Sequence, residues 1–400
     1  MSLRDIAYDQ TIYKNALNER VTWRSLMRSV STVTVQGQYH RLAIGGARLS
    51  RYKFTYIAKL ETESATGLEL TFDVVPESNP PTNIHVIIGR NGVGKTRLLD
   101  KMCRAIKTPD SIESNEGQFI RNNEEESSGL FANLVSVTFS AFDPFDPITL
   151  ANLDKTSIPY TYIGLKPTVI QADGSKYLKN PEMLQAEFVE SVVVCVKGAR
   201  ADRWRKALEM LESDPIFGEA EVAELATIEN DSDLKKAAST LFMKFSSGHK
   251  IVLLTITRLV EAVEEQTLIL LDEPEAHLHP PLLSAFVRAL SELLTNRNGV
   301  AIIATHSPVI LQEVPRNCVW KLRRVGAEVS VERPEMETFG ENVGVLTREV
   351  FGLEVTHSGF HKILRKAVDE YGDYDAVVEH FDGELGGEAK AIVRALLAAR

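Results

Sequence analysis

The stretch Gly89-Arg90-Asn91-Gly92-Val93-Gly94-Lys95-Thr96 decides the fold of this 400-residue chain. An apolar run, Ile84 to Ile88, precedes it and an apolar-periodic segment follows from Leu98, so a buried strand turns into a helix here. Glycines in such a turn let backbone N–H groups surround a phosphate at a helix N-terminus, where Lys95 reaches the β- and γ-phosphates and Thr96 can bind Mg²⁺. The candidate ATP-binding residues are Arg90, Asn91, Gly92, Val93, Gly94, Lys95, Thr96 and Arg97.

The composition is that of a globular protein. With 44% hydrophobic residues, the chain can bury a sizeable core in one large or two smaller domains. No signal-like N-terminus or apolar run of about 18 residues occurs, which predicts a soluble, cytoplasmic protein without a membrane partner. The three cysteines, Cys103, Cys195 and Cys318, are widely spaced, which argues against a disulfide framework and a zinc site. A net charge of −10 leaves any nucleic-acid binding to a local basic patch.

Hydrophobic periodicity outlines the rest of the chain. Alternation over 53–60 and 68–75 predicts two antiparallel strands, and the polar, acidic segment 108–130 predicts a flexible surface insertion. Helical spacing over 181–244 predicts a helical lobe. Predicted helices at 251–264 and 281–294 then alternate with predicted strands at 267–271 and 300–305, and a hairpin around Gly326 and C-terminal helices follow. Because strands and helices alternate, the sequence predicts a parallel sheet covered on both faces.

A second motif is the apolar run 268–271, which ends in Asp272 and Glu273. A buried parallel strand delivers such acids to its carboxyl end, where ligands bind in open α/β sheets. This placement makes Asp272 a candidate Mg²⁺ ligand and Glu273 a candidate general base for an attacking water. The simpler interpretation is a strand that ends in solvated acids.

Two further motifs carry a family resemblance. Phe245-Ser246-Ser247-Gly248-His249, just before a helix, resembles the L-S-G-G-Q signature of ABC-type ATPases, with histidine where glutamine is usual. The resemblance implies that Ser246, Ser247 and Gly248 bind the γ-phosphate held by the other subunit. An ordinary Ser-Gly helix cap is the alternative.

The strand 301–305 ends in His306-Ser307-Pro308, and His306 is placed like the switch histidine of the same family, which contacts the γ-phosphate and orients water. Catalytic roles are thereby expected for Glu273, His306 and Lys95, with Thr96 and Asp272 as metal ligands. His277 and His279 could suggest a metal site, but packing at the start of the next helix is favoured for both.

The run 272–280, read with 305–308, resembles standalone, non-transporter ABC-type ATPases, which include the overcoming-lysogenization-defect (OLD) nucleases and several anti-phage systems. The implied fold is an α/β P-loop ABC-type ATPase with a mainly parallel core sheet, an antiparallel β subdomain, a helical lobe and C-terminal helices. The implied domains are a helical N-terminal arm (1–40), the ATPase domain (41–325) and a C-terminal strand-plus-helix segment (326–400) for partner or assembly contact. Too few residues separate Lys95 from Ser247 for long coiled-coil arms, and no recognisable nuclease domain follows Pro308.

The C-terminal segment 337–353 resembles that of the PtuA-type ATPases of Septu and related retron defence systems. This resemblance implies a nucleotide-gated switch in anti-phage defence, with a separate HNH-type nuclease as partner. It also implies a homodimer that sandwiches two ATP molecules, with Mg²⁺ as cofactor.

Two family features are missing from their expected places. Ser140 stands where the Q-loop glutamine belongs, and Gln171 is the nearest later candidate. No adenine-stacking aromatic is identifiable; the candidates are Tyr52, Phe54 and Tyr56.

Two rival functions remain open. A DNA-binding or scaffolding module with little ATP turnover would use the basic residues Lys197, Arg200, Arg203, Arg205 and Lys206, although a solvated helix face also explains them. An energy-coupling subunit of a membrane transporter is disfavoured by the divergent signature and the missing glutamine.

Overall fold

The computed structural model describes residues 5–27, 35, 39–44, 49–58, 67–107, 116–121, 130–141, 146–148, 158–167, 178–326, 328–352 and 359–399. The chain forms two compact units, residues 1–340 and 341–400.

The strands are β1 (Tyr52–Ala58), β2 (Leu68–Val74), β3 (Ile84–Ile88), β4 (Gln118–Arg121), β5 (Asn133–Thr138), β6 (Tyr160–Gly164), β7 (Thr267–Asp272), β8 (Val300–Thr305), β9 (Val319–Val325) and β10 (Glu328–Glu332). The α-helices of the first unit are α1 (Gln10–Ala16), α2 (His40–Ala43), α3 (Lys95–Lys107), α4 (Pro181–Cys195), α5 (Ala199–Leu211), α6 (Pro215–Glu219), α7 (Asp231–Lys244), α8 (Ser247–Ala262), α9 (Pro280–Thr295) and α10 (Pro308–Leu311). Those of the second unit are α11 (Val343–Phe351), α12 (Gly359–Tyr371), α13 (Tyr374–His380) and α14 (Gly387–Ala398). Short helices of other types span Thr22–Leu26, Val222–Thr227, Pro274–His277 and Arg316–Cys318.

The central sheet has the order β10-β9-β3-β8-β7-β5-β6. All its neighbouring pairs are parallel except the β9–β10 hairpin. β3 and β8 are buried along their whole length, which explains their aliphatic composition, because helices cover both faces of a parallel sheet. The predicted α/β class with a mainly parallel core sheet and helices is confirmed. The edge strand β6 had not been predicted.

A smaller antiparallel sheet has the order β2-β1-β4. The predicted pairing of β1 with β2 is confirmed. The prediction of a flexible surface insertion at 108–130 is wrong for residues 118–121, which form β4. This strand pairs with β1 so that Phe119 lies opposite Tyr56. Packing of the partly buried Phe119 ring explains the error, because its centroid lies 4.9 Å from that of Tyr56 and 6.0 Å from that of Phe54. The flanking parts of the insertion, 108–115 and 122–129, lie outside the described residues.

One aromatic core joins the two sheets through α3. Phe54 stacks on Phe72 with ring centroids 5.0 Å apart and meets Phe131 edge-on at 5.1 Å. Tyr52, Phe54 and Tyr56 are all buried in this cluster. The suggestion that one of them stacks on adenine is therefore contradicted, because their faces are occupied by protein.

The helical lobe occupies the predicted region, with α4, α5, α6 and α7 between Pro181 and Lys244. Trp204 of α5 is fully buried and its Nε1 donates to Thr257 Oγ1 of α8 at 3.0 Å, which fixes the lobe on α8. The three cysteines are buried, and burial raises the pKa of the Cys195 thiol to about 12.

The second unit has its own small core, formed by the residues Leu364, Ala367, Val368, Val377 and Val393. Its helices confirm the helical interpretation of the C-terminal segment. Among the described residues, no helix combines the length and apolar character needed to cross a bilayer.

Candidate functional site

Three neighbouring strands end at one edge of the central sheet, and each leads into a predicted motif. β3 lies beside β8 and β8 beside β7, with Ile88 opposite Thr305 and Asp272 opposite Ala304. Since the strands are parallel, their carboxyl ends meet at this edge. The phosphate loop, the acids after β7 and the histidine after β8 are thereby brought together.

The phosphate loop, residues 89–94, turns directly into α3, which begins at Lys95. Gly92 and Gly94 have φ of +79° and +102°, a conformation that side chains rarely adopt, and a Cβ on either would meet nothing within 4 Å. Glycine is therefore required at both positions by the backbone conformation and not by contact with neighbouring atoms. The loop also has open space in front of it. A Cβ on Gly89 would lie 2.4 Å from the carbonyl oxygen of Leu322, so this glycine lets the loop lie against β9.

Lys95 joins the loop to the acidic strand end. Its side chain is 3% exposed, and Nζ donates to the carbonyl oxygens of Gly89 at 3.1 Å and Arg90 at 3.0 Å. The same Nζ lies 3.7 Å from Glu273 Oε1. The ammonium is therefore held over the loop and opposite the candidate base.

Glu273 has a left-handed backbone, with φ 44° and ψ 55°, and its N–H donates to the carbonyl oxygen of Ala304 at 2.9 Å. A non-glycine residue in this region costs of order 1–3 kcal/mol, and such residues cluster at functional sites. The strained turn leaves the carboxylate one-third exposed, with Oε1 3.5 Å from His306 Nδ1. The structure therefore places Lys95, Glu273 and His306 together.

Glu275 is a part of the site for which the sequence predicted no role. Its Oε1 accepts hydrogen bonds from the His306 backbone N–H at 2.8 Å and from the Thr305 hydroxyl, and lies 3.1 Å from His306 Nδ1. The side chain is 7% exposed. Its position two residues after Glu273 is the one signal in the sequence that could have pointed to a role. The hydrogen bonds that it accepts from Thr305 and His306 form only when the chain is folded.

The residues expected to hold Mg²⁺ line one cavity. This solvent-open space, of about 460 Å³, is bounded by Thr96 and Asp272 and by further oxygen-bearing side chains of Asp100, Ser136 and Asp146. Hydroxyl and carboxylate oxygens are the ligands that Mg²⁺ prefers, so the donor set fits this ion. Sequence reasoning missed Asp146, because no motif surrounds it.

Ser140, which stands in the Q-loop place, donates its backbone N–H to Thr138 Oγ1 at 3.4 Å and does not line this cavity. Gln171 lies outside the described residues.

The signature segment caps and starts α8. Ser246 is the N-cap, and its Oγ accepts from the His249 N–H. Ser246 and Ser247 are exposed, whereas Gly248 is buried against the loop after β7, where a Cβ would lie 2.4 Å from the His277 carbonyl oxygen. Ser246 therefore does act as a helix cap within its own chain. Binding of the γ-phosphate of a second subunit by this segment stays a prediction.

The basic residues of the lobe are largely ion-paired. Arg200 lies 3.0 Å from Glu264, Arg205 3.1 Å from Glu209, and Lys197 3.5 Å from Asp231. These three cations are each offset by an acid, which favours the solvated-face interpretation over phosphate binding.

Comparisons with known proteins found a family model that matches part of the chain and solved structures that are similar to it. Residues 189–312 match the family described as "AAA domain, putative AbiEii toxin, Type IV TA system", a segment that contains Asp272, Glu273 and His306. Among solved structures, the chain is similar to an inward-facing putative metal-chelate type ABC transporter (16% identity, TM-score 0.37, covering 75% of this chain and 88% of that one). It is also similar to the ADP conformation of MJ1267, an ATP-binding cassette of an ABC transporter (14% identity, TM-score 0.40, covering 78% and 100%).

The match to an AAA domain covers residues 189–312, and the strand-loop-helix geometry of the phosphate loop precedes that segment in the chain. The chain is also 42% identical to protein ea59 of Escherichia phage lambda. The alignment is 414 residues long and covers 97% of this chain and 77% of that protein. Similarity of this extent shows common descent, and the chain therefore belongs to the family of phage lambda protein ea59.

Proposed function

We propose that the chain is an ATPase that binds Mg-ATP at the phosphate loop and hydrolyses it with Glu273 as general base. The observation that carries this proposal is that Lys95 and His306 both approach the Glu273 carboxylate. Glu273 Oε1 lies 3.7 Å from Lys95 Nζ and 3.5 Å from His306 Nδ1. A carboxylate between an ammonium and an imidazole, at the carboxyl edge of a parallel sheet, has the composition of a phosphoryl-transfer site.

Each residue has a distinct part in this chemistry. The loop amides and Lys95 bind the phosphates and offset the negative charge that develops on them. Thr96 and Asp272 would hold Mg²⁺, which, when bound, neutralises phosphate charge. Glu273 accepts a proton from the attacking water, His306 orients that water, and Glu275 fixes the backbone of His306.

The test is Glu273→Gln, assayed for phosphate release and, separately, for binding of a fluorescent ATP analogue. We expect hydrolysis to fall at least about 100-fold, in line with the loss of a general base, while binding is retained. Glu229→Gln, at an exposed position in the same unit, is the matched control and should hydrolyse ATP like the wild type. Wild-type turnover by Glu273→Gln would remove Glu273 from the mechanism.

We further propose an ATP-sandwich dimer, in which Ser246, Ser247 and Gly248 of one subunit bind the γ-phosphate held by the other. The proposal is supported by the exposure of both serines at the start of α8, a helix of 16 residues whose first N–H groups suit an anion. Light scattering of Glu273→Gln should show a doubled mass with Mg-ATP only. Adding Ser247→Arg should keep it monomeric, whereas Ser232→Arg, at the exposed start of α7, should not. A mass indifferent to nucleotide would contradict the sandwich.

The biological role that we propose is a nucleotide-gated switch for a separate HNH-type nuclease in anti-phage defence. It rests on the resemblance of the C-terminal segment to PtuA-type ATPases and is compatible with the separate core of residues 341–400 as a partner-binding unit. The purified chain should leave DNA intact, and co-expression with an HNH subunit encoded beside it should yield a complex that cuts. Nuclease activity of the chain alone would contradict this role.

A further inference from the structure

Three titratable side chains meet beside the signature segment, outside the residues assigned to hydrolysis. Asp214 is the N-cap of α6, His249 lies in the first turn of α8, and His279 is the N-cap of α9. One oxygen or nitrogen atom from each lies within 4.8 Å of the others. We call these residues the His-Asp cluster.

The Asp214 carboxylate is 1% exposed, and only one of its two oxygens accepts hydrogen bonds. Its Oδ1 accepts from the backbone N–H groups of Ile216 and Phe217 at 3.0 and 3.3 Å, and lies 3.2 Å from His249 Nε2. Its Oδ2 is buried without a hydrogen bond, and its contact with His279 Nε2 is 3.6 Å, too long for one. An unmatched buried carboxylate oxygen is costly, and a cation between it and the imidazoles would remove that cost.

We propose that the His-Asp cluster binds a divalent transition-metal ion, with Zn²⁺ as the best match. Two imidazoles and one carboxylate form a ligand set typical of zinc, with metal–ligand bonds of about 2.0–2.2 Å. Such bonds at tetrahedral angles place ligand atoms roughly 3.4 Å apart. His249 Nε2 lies 3.2 Å from Asp214 Oδ1 and His279 Nε2 lies 3.6 Å from Asp214 Oδ2, so each imidazole is already near that spacing from one carboxylate oxygen. His279 is half-exposed, so a fourth position would be open to water.

The atoms around the cluster fit an ion as well. His249 Nδ1 lies 2.7 Å from Ser246 Oγ, and a metal-bound imidazole carries its proton on that nitrogen and donates it to such an oxygen. His279 Nδ1 accepts from the Leu282 N–H at 3.4 Å, a long bond that the ring gives up when the ion takes Nε2. The half-exposed ring is free to make this small adjustment.

The ion would cross-link three segments of the first unit: the α5–α6 connection, the start of α8 and the loop that follows Glu273. It would thereby fix Ser246 relative to the acidic end of β7. This inference goes beyond the proposed ATPase function, and metal binding can be measured without nucleotide.

The test compares wild-type protein, freed of its affinity tag, with His279→Ala. After dialysis against EDTA, each is titrated with Zn²⁺ in competition with a chromophoric chelator, without ATP. We expect one Zn²⁺ per chain in the wild type and an affinity at least about 100-fold lower in His279→Ala, because a ligand is lost. The matched control is His277→Ala, an exposed histidine two residues away, which should bind like the wild type.

Thermal melting gives a second readout, because a ligand of the native state stabilises it. Zn²⁺ should raise the melting temperature of the wild type and of His277→Ala, but not that of His279→Ala. Equal affinity of wild type and His279→Ala, or no stoichiometric Zn²⁺ binding by the wild type, would overturn the proposal.

Discussion

Glu275 shows how one carboxylate organises the end of β8. Its Oε1 accepts two hydrogen bonds, from the Thr305 hydroxyl and the His306 N–H, in a site where the side chain is almost fully buried. Truncation would leave both donors without their partner. The geometry of His306 therefore depends on a residue that would not itself touch the nucleotide.

Glu275→Ala should lower the free energy of unfolding by about 2–3 kcal/mol, the cost of unpairing hydrogen bonds to a buried charged group. Urea denaturation measures this difference. The exposed Glu229→Ala should stay within about 0.5 kcal/mol of the wild type, as surface substitutions do. If both variants were equally stable, Glu275 would not anchor the strand end.

His85, the second residue of β3, makes the fold sensitive to acid. The ring is fully buried and meets Phe72 edge-on at 5.2 Å, and burial lowers its pKa from 6.5 to about 3. Between these values the unfolded chain binds a proton that the folded chain does not. The His85 contribution to stability is therefore complete above pH 6.5 and is lost as the pH falls toward 3.

Urea denaturation at pH 7 and pH 5 should show this loss, which for His85 is about 2 kcal/mol at roughly 1.4 kcal/mol per pH unit. His85→Leu should reduce the pH-dependent loss by that amount, whatever its effect at pH 7. The exposed His277→Gln should keep the wild-type pH dependence. An unchanged pH dependence in His85→Leu would show that the ring binds a proton as readily in the folded chain as in the unfolded chain.

At the level of elements, Arg333 ties the central sheet to the smaller one. Its guanidinium lies 3.6 Å from the centre of the Trp320 ring of β9, and it donates to the carbonyl oxygens of Val319 at 2.9 Å and Thr71 of β2 at 2.7 Å. Burial lowers its pKa to about 10, so the group is still charged at neutral pH. Trp320 Nε1 also donates to Thr71 O, at 3.2 Å, which strengthens the same link.

Arg333→Met should cost about 2–4 kcal/mol, because two charge-assisted hydrogen bonds and a cation–π contact are lost together. The midpoint of urea unfolding is the measurement. Arg324→Met is the control, since Arg324 is exposed and donates to a carbonyl oxygen two residues away, that of Gly326, at 3.0 Å. Similar midpoints for the two variants would mean that the sheets are held by their apolar core alone.

For the whole molecule, the division at residue 340 predicts independent folding of the first unit. The residues of its aromatic core lie between Tyr52 and Leu322 in the sequence. Near its C-terminal end, the Thr338 hydroxyl donates to the Val314 carbonyl oxygen and the Gly340 N–H donates to the Gln312 carbonyl oxygen. All of these lie within residues 1–340. The second unit keeps its own core.

A chain that ends at Gly340 should therefore melt cooperatively, within about 3 °C of the corresponding transition of the full chain, a shift below roughly 1 kcal/mol for a unit of this size. Circular dichroism at 222 nm follows the transition. A shortened chain without a cooperative transition would show that residues 341–400 complete the first unit's core.

The sequence by itself was sufficient for the strand-loop-helix phosphate motif, the acids after β7 and the histidine after β8. These features depend on local rules: glycines where φ is positive, apolar runs where strands are buried, and polar residues where those strands end. Strand periodicity likewise predicted β1, β2 and the β9–β10 hairpin correctly.

Only the tertiary structure decided which side chains meet. β4 and β6 are short strands whose formation depends on pairing with β1 and β5, and alternating aromatics in β1 look the same whether they face a core or a ligand. Glu275 reaches across to β8, and Asp214 reaches His249 and His279, over sequence separations that carry no periodic signal. The physical reason is that these contacts arise from packing between segments that are distant in the chain, whereas helices, strands and turns are encoded by near neighbours.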